Sequence, residues 1–141
     1  GAGVQRGSNE SSLILSAASD HIARPGLQQS GYNTTPAPKR FVSLSHAGHL
    51  AFTDICALLP EQGGIIKVAE DNGVYVPYLL KTLGRDGCGV DALEPAEGWD
   101  IINYVSTAAF EEKLQCKASS AAYLEQTKSR FSAVQEYRQQ L

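Results

Sequence analysis

The chain reads as an α/β fold with an incomplete sheet, two parallel strands plus helices. Three observations lead there. The run over 12–18, SLILSAA, is short, apolar and bounded by polar residues, as a strand buried on both faces is. A second run, RFVSLS over 40–45, follows a connection longer than the dozen or so residues that a parallel crossover needs, with no Asn-Gly-type hairpin signal between them. A long helix over 96–115 then carries Trp99, Ile102, Val105 and Ala109 at three- or four-residue steps, a stripe that must pack on a sheet.

Taken in order, residues 1–11 are rich in Gly, Ser, Asn, Gln and charge and read as a flexible entry. The first strand runs into Ser19-Asp20-His21. Pro25, Gly26, Gly31, Pro36 and Pro38 confine any helix in the crossover to about 27–32. The second strand runs into the glycine-containing loop Ser45-His46-Ala47-Gly48-His49, and a helix is expected over 50–59, stopping at Pro60. Residues 60–93 form an excursion of short helical pieces, 65–72 and 77–83, broken at Gly73, Gly84, Gly87 and Gly89, and Pro77 suits a first helical turn. Glu94-Pro95-Ala96-Glu97 opens the long helix. In 117–141, Tyr123, Leu124, Phe131, Val134 and Tyr137 are spaced for a helical tail. The main body is thus 12–116. Two strands do not make a self-sufficient parallel sheet. The chain opens Gly1-Ala2-Gly3-Val4 and holds no methionine. Together these lead to the expectation that it is the C-terminal part of a larger sheet, with an open strand edge prone to self-association.

Composition removes several function classes. Hydrophobic residues at 43% and charged residues at 19% describe a folded globular chain, not a disordered one. Lys plus Arg is 12 against 15 for Asp plus Glu, so nucleic acid is not an expected partner. The longest apolar runs are a few residues, so no membrane span is expected. No signal-peptide pattern is legible, and the residues assign no compartment. The cysteines Cys56, Cys88 and Cys116 have no CxxC spacing, and no metal site is expected. Two readings stand for them. Cys56 and Cys88 form a bridge that ties the excursion to the histidine loop, or all three are reduced thiols.

The pattern that carries chemistry is strand, Asp20, strand, His49. Each residue lies just past the C-terminal end of its strand, the edge where open α/β sheets bind ligands. A carboxylate there can hold a histidine Nδ1–H, fix its tautomer and leave Nε2 to take a proton from a hydroxyl. The two side chains are expected within about 2.6–3.2 Å.

On these residues the chain resembles the C-terminal portion of an α/β-hydrolase. Leu13-Ile14-Leu15-Ser16-Ala17-Ala18-Ser19-Asp20-His21-Ile22-Ala23-Arg24-Pro25 looks like the penultimate strand and acid turn. Arg40 to Asp54, RFVSLSHAGHLAFTD, looks like the last strand and histidine loop. The run Ala47-Gly48-His49-Leu50-Ala51-Phe52-Thr53-Asp54 is similar to the form in dienelactone-hydrolase-like and platelet-activating-factor-acetylhydrolase-like serine esterases. The likeness covers roughly residues 12–116. It implies a carboxylic ester hydrolase with Asp20 as the acid and His49 as the base of a catalytic triad, no cofactor, and a small-molecule ester as substrate. His49 is preferred over His46, whose place small residues fill in the resembling loop. The family's nucleophile elbow, Gly-x-Ser-x-Gly, occurs nowhere in the 141 residues. The resemblance therefore implies a serine and oxyanion donors upstream, in another part of the same polypeptide. The alternative is a degenerate, non-catalytic module that binds a ligand or a partner chain. His21 reads as a rim residue, Asp54 as a helix cap, Trp99 as core, and Glu111 and Glu112 as a solvated face.

Overall fold

A computed structural model describes residues 10–141. The entry expected over 1–11 lies outside the described residues except for Glu10 and Ser11, which belong to no regular element. Strand β1, Ser12–Ala17, pairs in parallel with β2, Lys39–Leu44, from Ser12 opposite Lys39 to Ala17 opposite Leu44. The crossover is helix α1, Pro25–Thr34. Proline stands in its first turn, and its C-terminal carbonyls take the buried Lys39 ammonium, which donates to Tyr32 O and Thr35 O at 2.8 Å each.

The sheet is wider than the sequence suggests. A third strand, β3 (Val134–Gln140), pairs antiparallel with β2, with an irregularity at Ser43/Leu44, so the described sheet is mixed, in the order β1-β2-β3. This corrects the expected two-stranded sheet and the expected helical tail over 117–141. That segment holds two short helices, α5 (Ser119–Glu125) and α6 (Thr127–Arg130), before the strand. The strand VQEYRQQ has no apolar alternation to announce it. Its faces are covered by amphipathic side chains, with the Arg138 guanidinium 4.8 Å from the ring centroids of both Tyr32 and Phe41.

The two faces of β2 serve two layers. Lys39 and Phe41 face α1, where the Tyr32 and Phe41 rings lie 5.4 Å apart. Arg40, Val42 and Leu44 face helix α4, Pro95–Leu114. The core on that side joins Ala17, Val42, Leu44, Ala47, Ala51, Leu93, Ile101, Val105, Ala108, Leu124 and Val134. The buried stripe of α4 is Gly98, Ile101, Val105 and Ala108. The expected stripe has the right period and, Val105 aside, a different phase, since Trp99, Ile102 and Ala109 lie on its half-buried flanks.

The excursion carries α2, Gly64–Asp71, and α3, Tyr78–Leu83, close to the expected pieces. The helix expected over 50–59 is instead a pair of 3-10 turns, His49–Phe52 and Ile55–Ala57. They are too short to propagate because the chain is extended at Thr53, whose hydroxyl donates back to Leu50 O at 2.8 Å. Among the described residues no helix is long and apolar enough to cross a membrane.

Candidate active site

Pairing between β1 and β2 continues past their ends, as Ala18 N donates to Leu44 O at 2.9 Å and Ser19 N to Ala47 O at 2.8 Å. The acid turn and the histidine loop therefore leave the same sheet edge side by side. Asp20 is buried, and its two carboxylate oxygens have different partners. Its Oδ1 accepts the Ile22 and Ala23 amides at 2.8 and 2.7 Å, which closes the turn and fixes the carboxylate plane. Its Oδ2 faces outward and lies 3.1 Å from His49 Nδ1, inside the expected range. A carboxylate only accepts, so Nδ1 is the donor, and in the neutral tautomer that this bond selects the lone pair is on Nε2. The His49 side chain is 41% exposed, open enough for a reacting group to approach.

Gln28 on α1 completes the acid turn. Its Nε2 donates to Asp20 Oδ2 at 3.2 Å and to Ala23 O, and its Oε1 accepts from Ala17 N at 3.2 Å. His46 is not part of this arrangement. With φ of 56° it turns the chain out of β2, and its side chain borders a hollow with Ser45, Asp91 and Glu97.

Asp86 is the residue that sequence reasoning misses. It sits at the end of the excursion, yet its Oδ2 accepts the amides of both His21 and His49 at 3.0 Å. Its Oδ1 lies 2.7 Å from His21 Nδ1, and its carbonyl accepts Leu50 N at 2.9 Å. Burial pushes the Asp86 carboxyl up, but the hydrogen bonds from the His21 ring and from the two amides outweigh it and hold the group below its ordinary value of 3.8. His21 itself is a rim residue with its side chain 82% exposed.

Two features clamp the excursion onto the histidine loop. Cys56 and Cys88 are bridged, with Cα atoms 4.9 Å apart, which leaves Cys116 as an exposed free thiol. Gly48 and Gly87 pack backbone to backbone, so a Cβ on Gly48 would fall 2.4 Å from Gly87 N. Gly87 also takes φ of 97°, a conformation that favours glycine. The only signal for Asp86 in the sequence is its place in Arg85-Asp86-Gly87-Cys88, two residues before the cysteine that the bridge would draw to the histidine loop.

The remaining candidates have structural places. Asp54 precedes the second 3-10 turn without a side-chain capping bond. Trp99 Nε1 donates to Thr53 O at 3.4 Å and docks α4 on the histidine loop. Glu112 is not on a solvated face, since it pairs with the buried Arg40 guanidinium at 2.7 Å. Glu111 accepts from Ser120 Oγ at 2.8 Å and Lys117 Nζ at 3.0 Å. Among the described residues no three His, Cys, Asp or Glu side chains converge as metal ligands would. No family model, curated protein or solved structure matches the chain.

Proposed function

We propose that this chain supplies the acid and base of a serine hydrolase of α/β-hydrolase type that cleaves carboxylic esters, with the nucleophilic serine lying outside these 141 residues. The observation that carries the reading is the Asp20–His49 bond at the C-terminal edge of two parallel strands. In this mechanism His49 Nε2 takes the serine proton as the serine oxygen attacks the ester carbonyl. His49 then gives that proton to the leaving alcohol, and an acyl-enzyme remains. Water deprotonated by His49 then attacks the acyl carbon, and as the acid leaves, His49 returns the proton to the serine oxygen, which restores both groups. Asp20 keeps Nδ1–H in place and stabilises the imidazolium that forms at each step, without itself taking the proton.

The test is to read the coding sequence ahead of Gly1 for Gly-x-Ser-x-Gly and to assay the longer product on an activated short-chain ester. His49→Ala or Asp20→Asn should lower kcat by about 10⁴-fold or more. The 141 residues alone should show no turnover above background, because they hold neither the serine that attacks the carbonyl nor the donors that stabilise the oxyanion it becomes. Turnover of the longer product that survives His49→Ala overturns the reading. The lack of an elbow within the chain favours the second reading, a non-catalytic binding module, which a coding sequence without that motif would support.

A further inference from the structure

We propose that Asp86 is a positioning residue for His49, setting the backbone of the base just as Asp20 sets its ring. The proposal rests on the reading of His49 as a base. It begins from a mismatch between exposure and function. A side chain 41% exposed is not fixed by packing, yet a base must hold Nε2 to within a fraction of an ångström. One hydrogen bond to Nδ1 fixes the ring only if the backbone beneath it is fixed as well.

Asp86 supplies that second anchor. Its carboxylate takes the His49 amide and its own carbonyl takes the next amide, Leu50, so one residue holds two successive peptides of the loop. The same carboxylate takes the His21 amide and ring, so the acid turn and the base loop are fastened to a common point. Asp86 is only 9% exposed by side chain. A largely covered carboxylate with this many donors binds as a charged acceptor, roughly twice as strongly as a neutral one. The other charged group beside it in the chain, Arg85, leans instead toward Glu70 at 3.9 Å. The Gly48–Gly87 contact and the Cys56–Cys88 bridge follow Asp86 directly in the chain and hold it in reach. The excursion is therefore part of the site's scaffold.

The experiment is proton and nitrogen NMR on this chain, with Asp86→Asn as the deciding variant because it keeps the shape and loses the charge. In the unaltered chain the His49 Nδ1 proton should give a downfield resonance that Asp20→Asn abolishes. In Asp86→Asn that resonance should broaden, and the His49 amide should exchange with solvent about tenfold faster, the loss expected for a charge-assisted bond. The Ile22 and Ala23 amides, held by Asp20, should be unchanged. Asp86→Glu should restore part of the protection. If the downfield resonance is absent from the unaltered chain, the reading of His49 as an oriented base fails. If it is present, and it and the His49 amide are unmoved by Asp86→Asn, the base reading stands and the role of Asp86 is overturned.

Discussion

Two carboxylates hold His49 by different handles, Asp20 by the ring and Asp86 by the peptide, and a third carboxylate, Glu112, does comparable work away from the site. Arg40 is buried on β2 with its side chain 2% exposed, and Glu112 on α4 neutralises it through both oxygens, at 2.7 and 3.0 Å. Removing one partner of such a pair leaves a buried charge uncompensated, so Glu112→Ala should cost about 3 kcal/mol in urea denaturation. A loss below about 1 kcal/mol would mean that the pair behaves like one on the surface. The acid dependence has a definite sign. Burial raises the Glu112 carboxyl, but the hydrogen bond and charge of Arg40 outweigh it and hold the group below its ordinary 4.5. Glu112 and Asp86 therefore stabilise the fold fully above their ordinary values of 4.5 and 3.8, and this is lost as pH falls through their lower folded values. Glu112→Ala should flatten the fall of stability below pH 4.5, and an unchanged slope would remove Glu112 from the acid response. Asp20 and His49 are legible in the sequence because each follows a strand end, and strand ends are local events along the chain. Asp86 and Gln28 are not, because each reaches the site from a different segment and only the folded chain puts them there.

At the scale of elements, strong local signals and observed segments coincide. The helix expected over 50–59 does not form and α1 extends past the expected 27–32 to Pro25 and Thr34, while both parallel strands, the two excursion helices and the long α4 lie where apolar period and turn residues put them. Strand β3 does not, because its half-buried residues are Glu136, Tyr137 and Arg138, whose fit depends on Ser43, Val42 and Phe41 opposite them. Tertiary pairing decides what the pattern leaves open. The excursion is the element with the weakest core of its own, since Tyr75, Tyr78, Leu79 and Leu80 are all exposed and α2 and α3 bury no residue fully. The bridge between Cys56 and Cys88, 32 positions apart, is its covalent restraint, and closing a loop of that length is worth about 3–4 kcal/mol on the chain-entropy model. Reduction should therefore lower stability by about that amount, and limited proteolysis of the reduced chain should cut first within 60–93. Under denaturing, non-reducing conditions the chain should titrate as a single thiol, Cys116, rising to three after reduction. Three thiols before reduction would show that the bridge does not form in solution.

The whole molecule is asymmetric about its sheet. β3 closes one side of β2, while the outer edge of β1 has no partner strand among the described residues. Ser12 N donates toward Pro38 O and Ala18 N toward Leu44 O, so by strand alternation the amides of Leu13 and Leu15 point away from β2. The next outward amide, Ala17, is already taken by Gln28. Beside this edge lies a hollow of about 550 Å³ lined by Leu13, Leu15, Ala109, Phe110 and Leu114. Phe110 and Leu114, 64% and 76% exposed, leave the outer flank of α4 apolar and uncovered. Strand amides with no partner among the described residues, next to an apolar groove, form a template for another strand. The chain on its own should therefore self-associate, with a sedimentation-derived mass that rises with concentration and with binding of an apolar dye. Phe110→Glu places a charge in the groove without touching the buried stripe of Ile101, Val105 and Ala108, and should shift the equilibrium toward monomer at unchanged thermal stability. A chain that stays monomeric at every concentration and binds no dye would mean that the β1 edge is already protected, and the expectation of a larger sheet would lose its physical basis.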